Sequence, residues 1–195
     1  MILARHGRTA ANAAGRLLGR ADPTLDDTGR AQAAAIAGVI GTVDRVVSSP
    51  LHRCRETASP LGRPVEIDDR WIELDYGAYE GSLLADVPAE VWSAWRADPT
   101  FVPPGGESLA GLGARVRSAL QDLVADATEA TVVVVTHVSP VKAALAWALG
   151  VGDEVAWRAF VAPGSLMRVR VNERGPTLVA FNDTCHLNPS GPSHG

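Results

Sequence analysis

The sequence predicts an α/β fold: a three-layer α/β/α sandwich on a mostly parallel central sheet, with a small cap insertion. Three observations predict it. Short β-branched runs alternate along the chain with segments of helical spacing. The run Thr131–Val135 is almost purely β-branched, the pattern of a strand buried on both faces. Separate strand ends also lead toward cations or imidazoles: the first into Arg5-His6, the second toward Arg53, and Thr131–Val135 into Thr136-His137. In open α/β sheets ligands bind beyond the carboxyl ends of the strands, so these side chains are expected along one edge.

Taken in order, Met1–Ala4 is a short apolar run and reads as the first strand. Gly15–Thr28, rich in Gly, Asp and Pro, reads as loop. Asp26 and Asp27 precede a helix over Thr28–Ile40, which Gly41 stops. Val43–Val47, bounded by Gly41 and Ser48-Ser49-Pro50, is the second strand. A helix over Leu51–Leu61 and a short strand at Val65–Ile67 follow. Ile72–Gly81 reads as irregular, Pro88–Ala97 as a short helix and Thr100–Glu107 as loop. Leu109, Leu112, Val116, Leu120 and Leu123 give helical spacing to Ser108–Val124. After the Thr131–Val135 strand, Val138–Leu149 is a helix that Ser139 can cap, with Pro140 in its first turn. Ser165–Val171 and Thr177–Phe181 close the fold as a strand pair, and Asn188–Gly195 reads as a frayed tail.

The length of 195 residues suits one domain, residues 1–195, with the cap at roughly 75–110, and 46% apolar residues supply a core. A net charge of −4 argues against nucleic acid or a membrane surface as partner. Lys142 is the only lysine and the other basic residues are arginines. Arginine suits planar recognition of oxyanions, although a compositional bias toward Arg explains most of them. Cys54 and Cys185 make no disulfide framework, and no Cys/His spacing resembles a zinc site, so no metal and no cofactor is expected. The apolar run of MILARHG is too short for a signal peptide, and no segment has the length of a membrane span. The expected location is cytoplasmic.

The expected strand-end cluster suits a phosphate monoester. Such a group carries about two negative charges near neutral pH. Cleaving it requires donors around the non-bridging oxygens, an in-line nucleophile and an acid for the leaving oxygen. Arg5 and Arg53 offer bidentate donors, the helix start after His137 offers backbone N–H groups, and His6 offers a neutral attacking nitrogen. Glu73 is the candidate acid, with Asp75 and Glu80 as competitors.

Arg5-His6-Gly7, followed by Thr9 and Asn12, resembles the signature of the histidine phosphatase superfamily, in the branch that includes cofactor-dependent phosphoglycerate mutase. Gly19–Gln32, Ser48–Ala58, Glu73–Gly81, Gly105–Ser108, Thr136-His137 and Asn182–Leu187 resemble further blocks of the family in the same order, covering nearly the whole chain. The resemblance implies that His6 is the nucleophile and forms phosphohistidine. It implies that Arg5, Arg53 and His137 hold the phosphoryl oxygens, helped by Asn12 and Thr9, and that Glu73 protonates the leaving alkoxide and then activates water. His6 must stay neutral, with its other ring nitrogen donated to a backbone carbonyl.

Two positions depart from the family pattern. Arg8 stands where relatives carry Glu or Gln, and is expected either to receive a second anionic group or to face solvent. Val138-Ser139-Pro140 stands where relatives often carry Gly-Gly, so the helix must begin at once in ordinary geometry, with the Val138 N–H as a possible phosphate donor. A similar His-Val-Ser/Thr-Pro arrangement occurs in α-ribazole phosphatase and acid phosphatase-like members. The expectation is a metal-independent phosphatase acting on a small phosphorylated metabolite. A phosphoglycerate mutase-type transferase and a non-catalytic phospholigand-binding module are the alternatives. The short stretch between Glu73 and Ser108 leaves a site open to water, which favours hydrolysis. Substrate choice is assigned to Ser82–Pro104. There Val91, Trp92, Trp95 and Phe101 fit either a lid wall or, as the better reading, core. Cys54 is expected half-buried in its helix, His52, His186 and His194 structural or solvated, and the closing strands a possible homodimer edge.

Overall fold

The computed structural model describes residues 1–187. A single six-stranded sheet forms its centre. β1 (Ile2–Arg5), β2 (Arg45–Ser48), β3 (Val65–Ile67) and β4 (Val132–Thr136) run parallel in the order β3-β2-β4-β1. β5 (Leu166–Asn172) and β6 (Gly175–Asp183) continue beyond β1 as an antiparallel pair, leaving β6 at the edge. The mostly parallel sheet is therefore as expected. In β4, alternate valines enter opposite cores: Val132 and Val134 one, Val133 and Val135 the other. A sheet covered on both faces demands that pattern.

On one face lie α2 (Asp27–Ile40) and α3 (His52–Ala58), which contribute Ile36, Cys54 and Ala58 to the smaller core. On the other lie α5 (Leu109–Glu129) and α6 (Val138–Leu149). The α5 stripe Leu112, Val116, Leu120 and Leu123 packs there with Trp71, Trp95 and the buried face of α6. Register sets the site. Arg5 pairs with Thr136 across β1 and β4, and Ser48 pairs with Val135, so three strand ends finish level. The next residues of β1 and β4 are His6 and His137, which consequently emerge side by side.

Several local expectations change. A short helix, α1 (Ala10–Ala13), follows His6. Thr9 caps it through a reciprocal capping box with Asn12. The Leu51–Leu61 helix ends as α-helix at Ala58 and finishes as a 3₁₀ turn over Ser59–Leu61. α5 runs on to Glu129, because Ala127 still packs into the core. Ser139 does not cap α6. His137 holds the N-cap position without a side-chain cap bond, and Ser139 lies inside the first turn. The cap-region helix, α4, spans Ala89–Ala97. The expected tail Asn188–Gly195 lies outside the described residues.

One close approach fixes how β1 leaves the sheet. Gly7 and Gly29 meet backbone to backbone, so a Cβ on either would collide with main-chain atoms. The N-terminus of α2 can therefore press against the His6-Gly7 turn. Gly38, in the same helix, faces open space. Gly29→Ala is expected to destabilise by about 1–3 kcal/mol through overpacking. Gly38→Ala is expected to stabilise by about 0.5–1 kcal/mol, since only helix propensity changes there. Urea unfolding of the two variants checks the opposite signs.

Candidate active site

His6, Arg53 and His137 form one buried cluster. His6 Nδ1 lies 2.7 Å from the Gly7 carbonyl oxygen and so donates to it, which leaves Nε2 as a lone pair. Arg53 Nε lies 3.3 Å from that Nε2 and 3.2 Å from Nδ1 of His137, so one N–H is shared between the two rings. His137 must then carry its proton on Nε2, which donates to Ser49 Oγ at 2.7 Å. The ring centroids are 5.1 Å apart. Burial holds both imidazoles well below their usual pKa. For His6 Arg5 and then Arg53 add to that, and for His137 Arg53 leads among the nearby charges. The neutral tautomer expected of His6 is the one its surroundings dictate.

Arg5 donates from one Nη to the Val161 carbonyl at 2.6 Å, and burial lowers its pKa to about 10. Glu73 reaches the same centre from the irregular segment after β3. Its carboxylate accepts N–H bonds from Leu74, Val138 and Ser139 at 2.7, 3.0 and 3.1 Å. It thereby supplies the cap that α6 lacks from its own sequence. Beside these groups opens a cavity of about 440 Å³. Its lining includes the polar side chains of Arg5, His6, Asn12, Glu73, Ser139 and Lys142 and the apolar ones of Leu84, Trp92, Trp95, Trp157 and Phe160. Arg53 and His137 adjoin His6 outside that wall.

The bracing of this centre was largely hidden in the sequence. Thr57 Oγ1 accepts the Gly7 N–H at 2.9 Å and donates to the Arg53 carbonyl at 2.8 Å, joining β1 to α3. Thr136 Oγ1 donates to the Trp71 carbonyl at 2.6 Å, aligning the Glu73 segment with β4. Arg115 on α5 donates to the carbonyls of Arg70, Ile72 and Glu73 while paired with Glu107. From the C-terminal segment, Asn182 Oδ1 accepts the Ala162 N–H at 2.7 Å and His186 Nε2 donates to the Gly164 carbonyl at 3.0 Å. That clamped loop accepts Arg5 through Val161 and gives its Gly164 N–H to the His6 carbonyl.

Other candidates fall elsewhere. Arg8 turns away to Asp26 at 2.8 Å and to Thr28, and is absent from the cavity wall. Thr9 is buried as a helix cap, while its partner Asn12 does reach the cavity. The Val138 N–H expected for phosphate is taken by Glu73. Of the competing acids, Glu80 accepts the N–H groups of Gly19 and Arg20, and Asp75 accepts that of Gly77; neither lines the cavity. Cys54 is fully rather than half buried, and burial pushes its thiol pKa up. Trp92 and Trp95 are core and cavity wall at once, so the lid and core readings were not exclusive. Sequence reasoning missed Lys142, whose place one turn into α6 puts it in the cavity.

At one edge of a doubly covered α/β sheet, two imidazoles that follow β1 and β4 meet a buried guanidinium from α3 and a carboxylate from the segment after β3. The chain belongs to the histidine phosphatase superfamily (branch 1), whose family profile matches residues 1–184. It is 37% identical over 198 residues to a bifunctional protein of Mycobacterium tuberculosis, covering 96% of this chain and 54% of that protein. The chain thus spans about half the length of that relative. It is 33% identical over 197 residues to phosphoserine phosphatase 1 of Hydrogenobacter thermophilus, covering 96% of this chain and 93% of that one. The solved structure of mycobacterial glucosyl-3-phosphoglycerate phosphatase complexed with VO3 superposes with a TM-score of 0.84 at 31% identity, covering 94% of this chain and 98% of that one.

Two buried neutral imidazoles tie stability to pH. Below about pH 6.5 an unfolded histidine takes up a proton, whereas folded His6 and His137 resist it. The unfolded state then binds more protons, so stability falls as pH drops and is flat, for these groups, above that point. Each ring is expected to remove about 1.4 kcal/mol per pH unit below about pH 6.5 while it stays neutral in the fold. Urea unfolding at pH 7.5 and 5.5 measures the loss, and His137→Asn is expected to shrink it. An unchanged pH slope in that variant contradicts the account.

Proposed function

We propose that the chain is a metal-independent phosphomonoesterase acting on a small phosphorylated metabolite. The observation that carries this reading is the unprotonated His6 Nε2, held at 3.3 Å from a guanidinium N–H in a buried centre beside the cavity. The substrate's phosphoryl oxygens take the Arg53 Nε–H and the free Arg5 donors, with Asn12 alongside, which releases the Nε2 lone pair. Nε2 attacks phosphorus, the P–N bond forms, the ester P–O bond breaks, and protonated Glu73 gives its proton to the leaving alkoxide. The carboxylate then takes a proton from water, the resulting hydroxide attacks phosphorus, the P–N bond breaks and inorganic phosphate leaves. His137 accepts the same Arg53 Nε–H through Nδ1 and joins the phosphoryl oxygens when its proton shifts to that nitrogen. Arginines supply the charge stabilisation that a metal provides in other hydrolases.

The similarity to phosphatases supports hydrolysis, and the segment 75–110 serves as the cap of a single domain, setting the leaving-group side of the cavity. Among the described residues no group of His, Cys, Asp and Glu has metal-ligand placement, and no helix is long and apolar enough to cross a membrane.

Acid-labile phosphoenzyme is expected on rapid quenching with a labelled monoester, with phosphate released and phosphoglycerate not isomerised. His6→Ala should remove the phosphoenzyme and lower kcat by at least about 10³-fold, and a chelator should change neither. Turnover without a trappable phosphohistidine refutes the scheme. In the phosphorylation half-reaction, read by kcat/KM, Glu73→Gln is expected to slow an alkyl phosphate about 10²- to 10⁴-fold, and a nitrophenyl phosphate far less, because that leaving group departs without a proton. Equal losses of kcat/KM on both substrates remove Glu73 from the acid role.

A further inference from the structure

Two cations of the cavity wall, Arg16 and Lys142, have no task in this scheme, and only Lys142 is without a hydrogen-bond partner among the described residues. Lys142, the only lysine of the chain, sits on α6 three residues after Ser139 and four after Val138. The three share a helix face and line the same cavity. A rise of 1.5 Å per residue puts the Lys142 Cα about 6 Å along the axis from the helix start, where Glu73 meets the Val138 and Ser139 N–H groups.

Among the described residues Lys142 makes no hydrogen bond and no ion pair, unlike the other cavity cations. Arg5 is tied to the Val161 carbonyl and Arg16 to the Gly81 carbonyl. Burial pushes the pKa of its ammonium down, while among the nearby charges Glu73 favours the charged form and Arg5 opposes it. Glu73 is the only carboxylate in the wall, and its oxygens are engaged by backbone N–H groups. Around them stand Tyr76, Trp92, Trp95 and Trp157. A half-buried ammonium without a partner in an apolar wall has lost hydration with no return. The same low dielectric strengthens its attraction for an arriving anion. The phosphoryl group is already served by Arg5 and Arg53, so the unanswered charge lies on the leaving-group side.

We infer that Lys142 forms a subsite for a carboxylate carried by the leaving group, and so selects phosphorylated hydroxy or amino acids over phosphorylated polyols. The identity of the phosphoryl end rests on the hydrolase reading above; the subsite itself does not require turnover.

The test compares 3-phosphoglycerate with glycerol 3-phosphate, which replaces the carboxylate by a hydroxymethyl group. Wild-type chain is expected to prefer the acid in kcat/KM. Lys142→Met, which keeps the apolar stem, is expected to reduce that preference about ten- to hundredfold. A wild-type ratio near one, an unchanged ratio in the variant, or equal losses on both substrates overturns the subsite. Equal losses would instead mean contact with the phosphoryl group or with Glu73. Calorimetric binding of both compounds to His6→Ala, with and without Lys142→Met, reads the same preference in the absence of chemistry. A Lys142-dependent preference in binding without phosphate release keeps the subsite and removes the hydrolase reading. Phosphate release with a preference independent of Lys142 does the reverse.

Discussion

Arg53 is a guanidinium closed to solvent, with no carboxylate bonded to it. Its Nη groups donate to the carbonyls of Ala21 and Gly19 at 2.6 and 2.8 Å, and its Nε to two neutral imidazoles. Carbonyls and imidazole lone pairs satisfy the donors without neutralising the charge. A carboxylate would neutralise it and would compete with any anionic ligand. Arg5 follows the same rule through Val161. Away from the site the rule reverses: Arg45, Arg70 and Arg117 pair with Asp or Glu. Those exposed pairs contribute little to stability, about 0–1 kcal/mol each. Arg5 and Arg53 thus keep their positive charge unneutralised beside His6, unlike those three.

Holding buried charge on carbonyls constrains much of the remaining chain, because each carbonyl must itself be fixed. Glu80 pins the Gly19-Arg20 backbone that serves Arg53, and a side chain at Gly19 would collide with Glu80 and the Leu74 carbonyl. Glu56 takes the Leu25 N–H and Asp22 takes the His52 N–H, which lashes the same loop to α3. Asn182 and His186 fix the loop that carries Val161. Asn182 adopts φ 54° to do so, in the left-handed region that asparagine tolerates better than most residues. Residues far apart in sequence converge because the charge at the centre requires every one of these supports.

This division explains what could be read from the sequence. Strand ends leading to Arg5-His6 and Thr136-His137 were legible, since periodicity and the rule for α/β sheets act locally. Glu73 was distinguishable from Asp75 and Glu80 only by the resemblance, and the geometry separates them by giving the other two backbone donors outside the cavity. Of the two readings of Arg8, the geometry favours the solvent-facing one, because its side chain pairs with Asp26, a helix cap eighteen residues away, a partner that no local pattern marks. Ser139 misled because capping propensity is a local signal, and here a carboxylate from a distant segment occupies the helix end. Lys142 was visible as a single letter. Its place in the cavity depends on the rotation of α6 against the sheet, which no short window encodes.

The two ends of the cavity are built by different means, and that difference bears on how related chains can act on different leaving groups. At the phosphoryl end each side chain is held by backbone atoms of the sheet ends and their loops, so substitution there disturbs several elements at once. At the other end the wall consists of side chains on α4, α6 and the segment around Phe160, whose ring is 71% exposed at the rim. Trp92, Trp157, Phe160 and Lys142 can change without moving His6, Arg53 or Glu73, because none of them takes part in the hydrogen bonds that fix those three. Under the proposed function, chemistry falls to the rigid sheet edge and selectivity to side chains borne by helices that pack on it. The single ammonium on α6 lines the same cavity, with Glu73 and Arg5 among the charges that act on it, and on the inference above it answers the part of the substrate that is not phosphate.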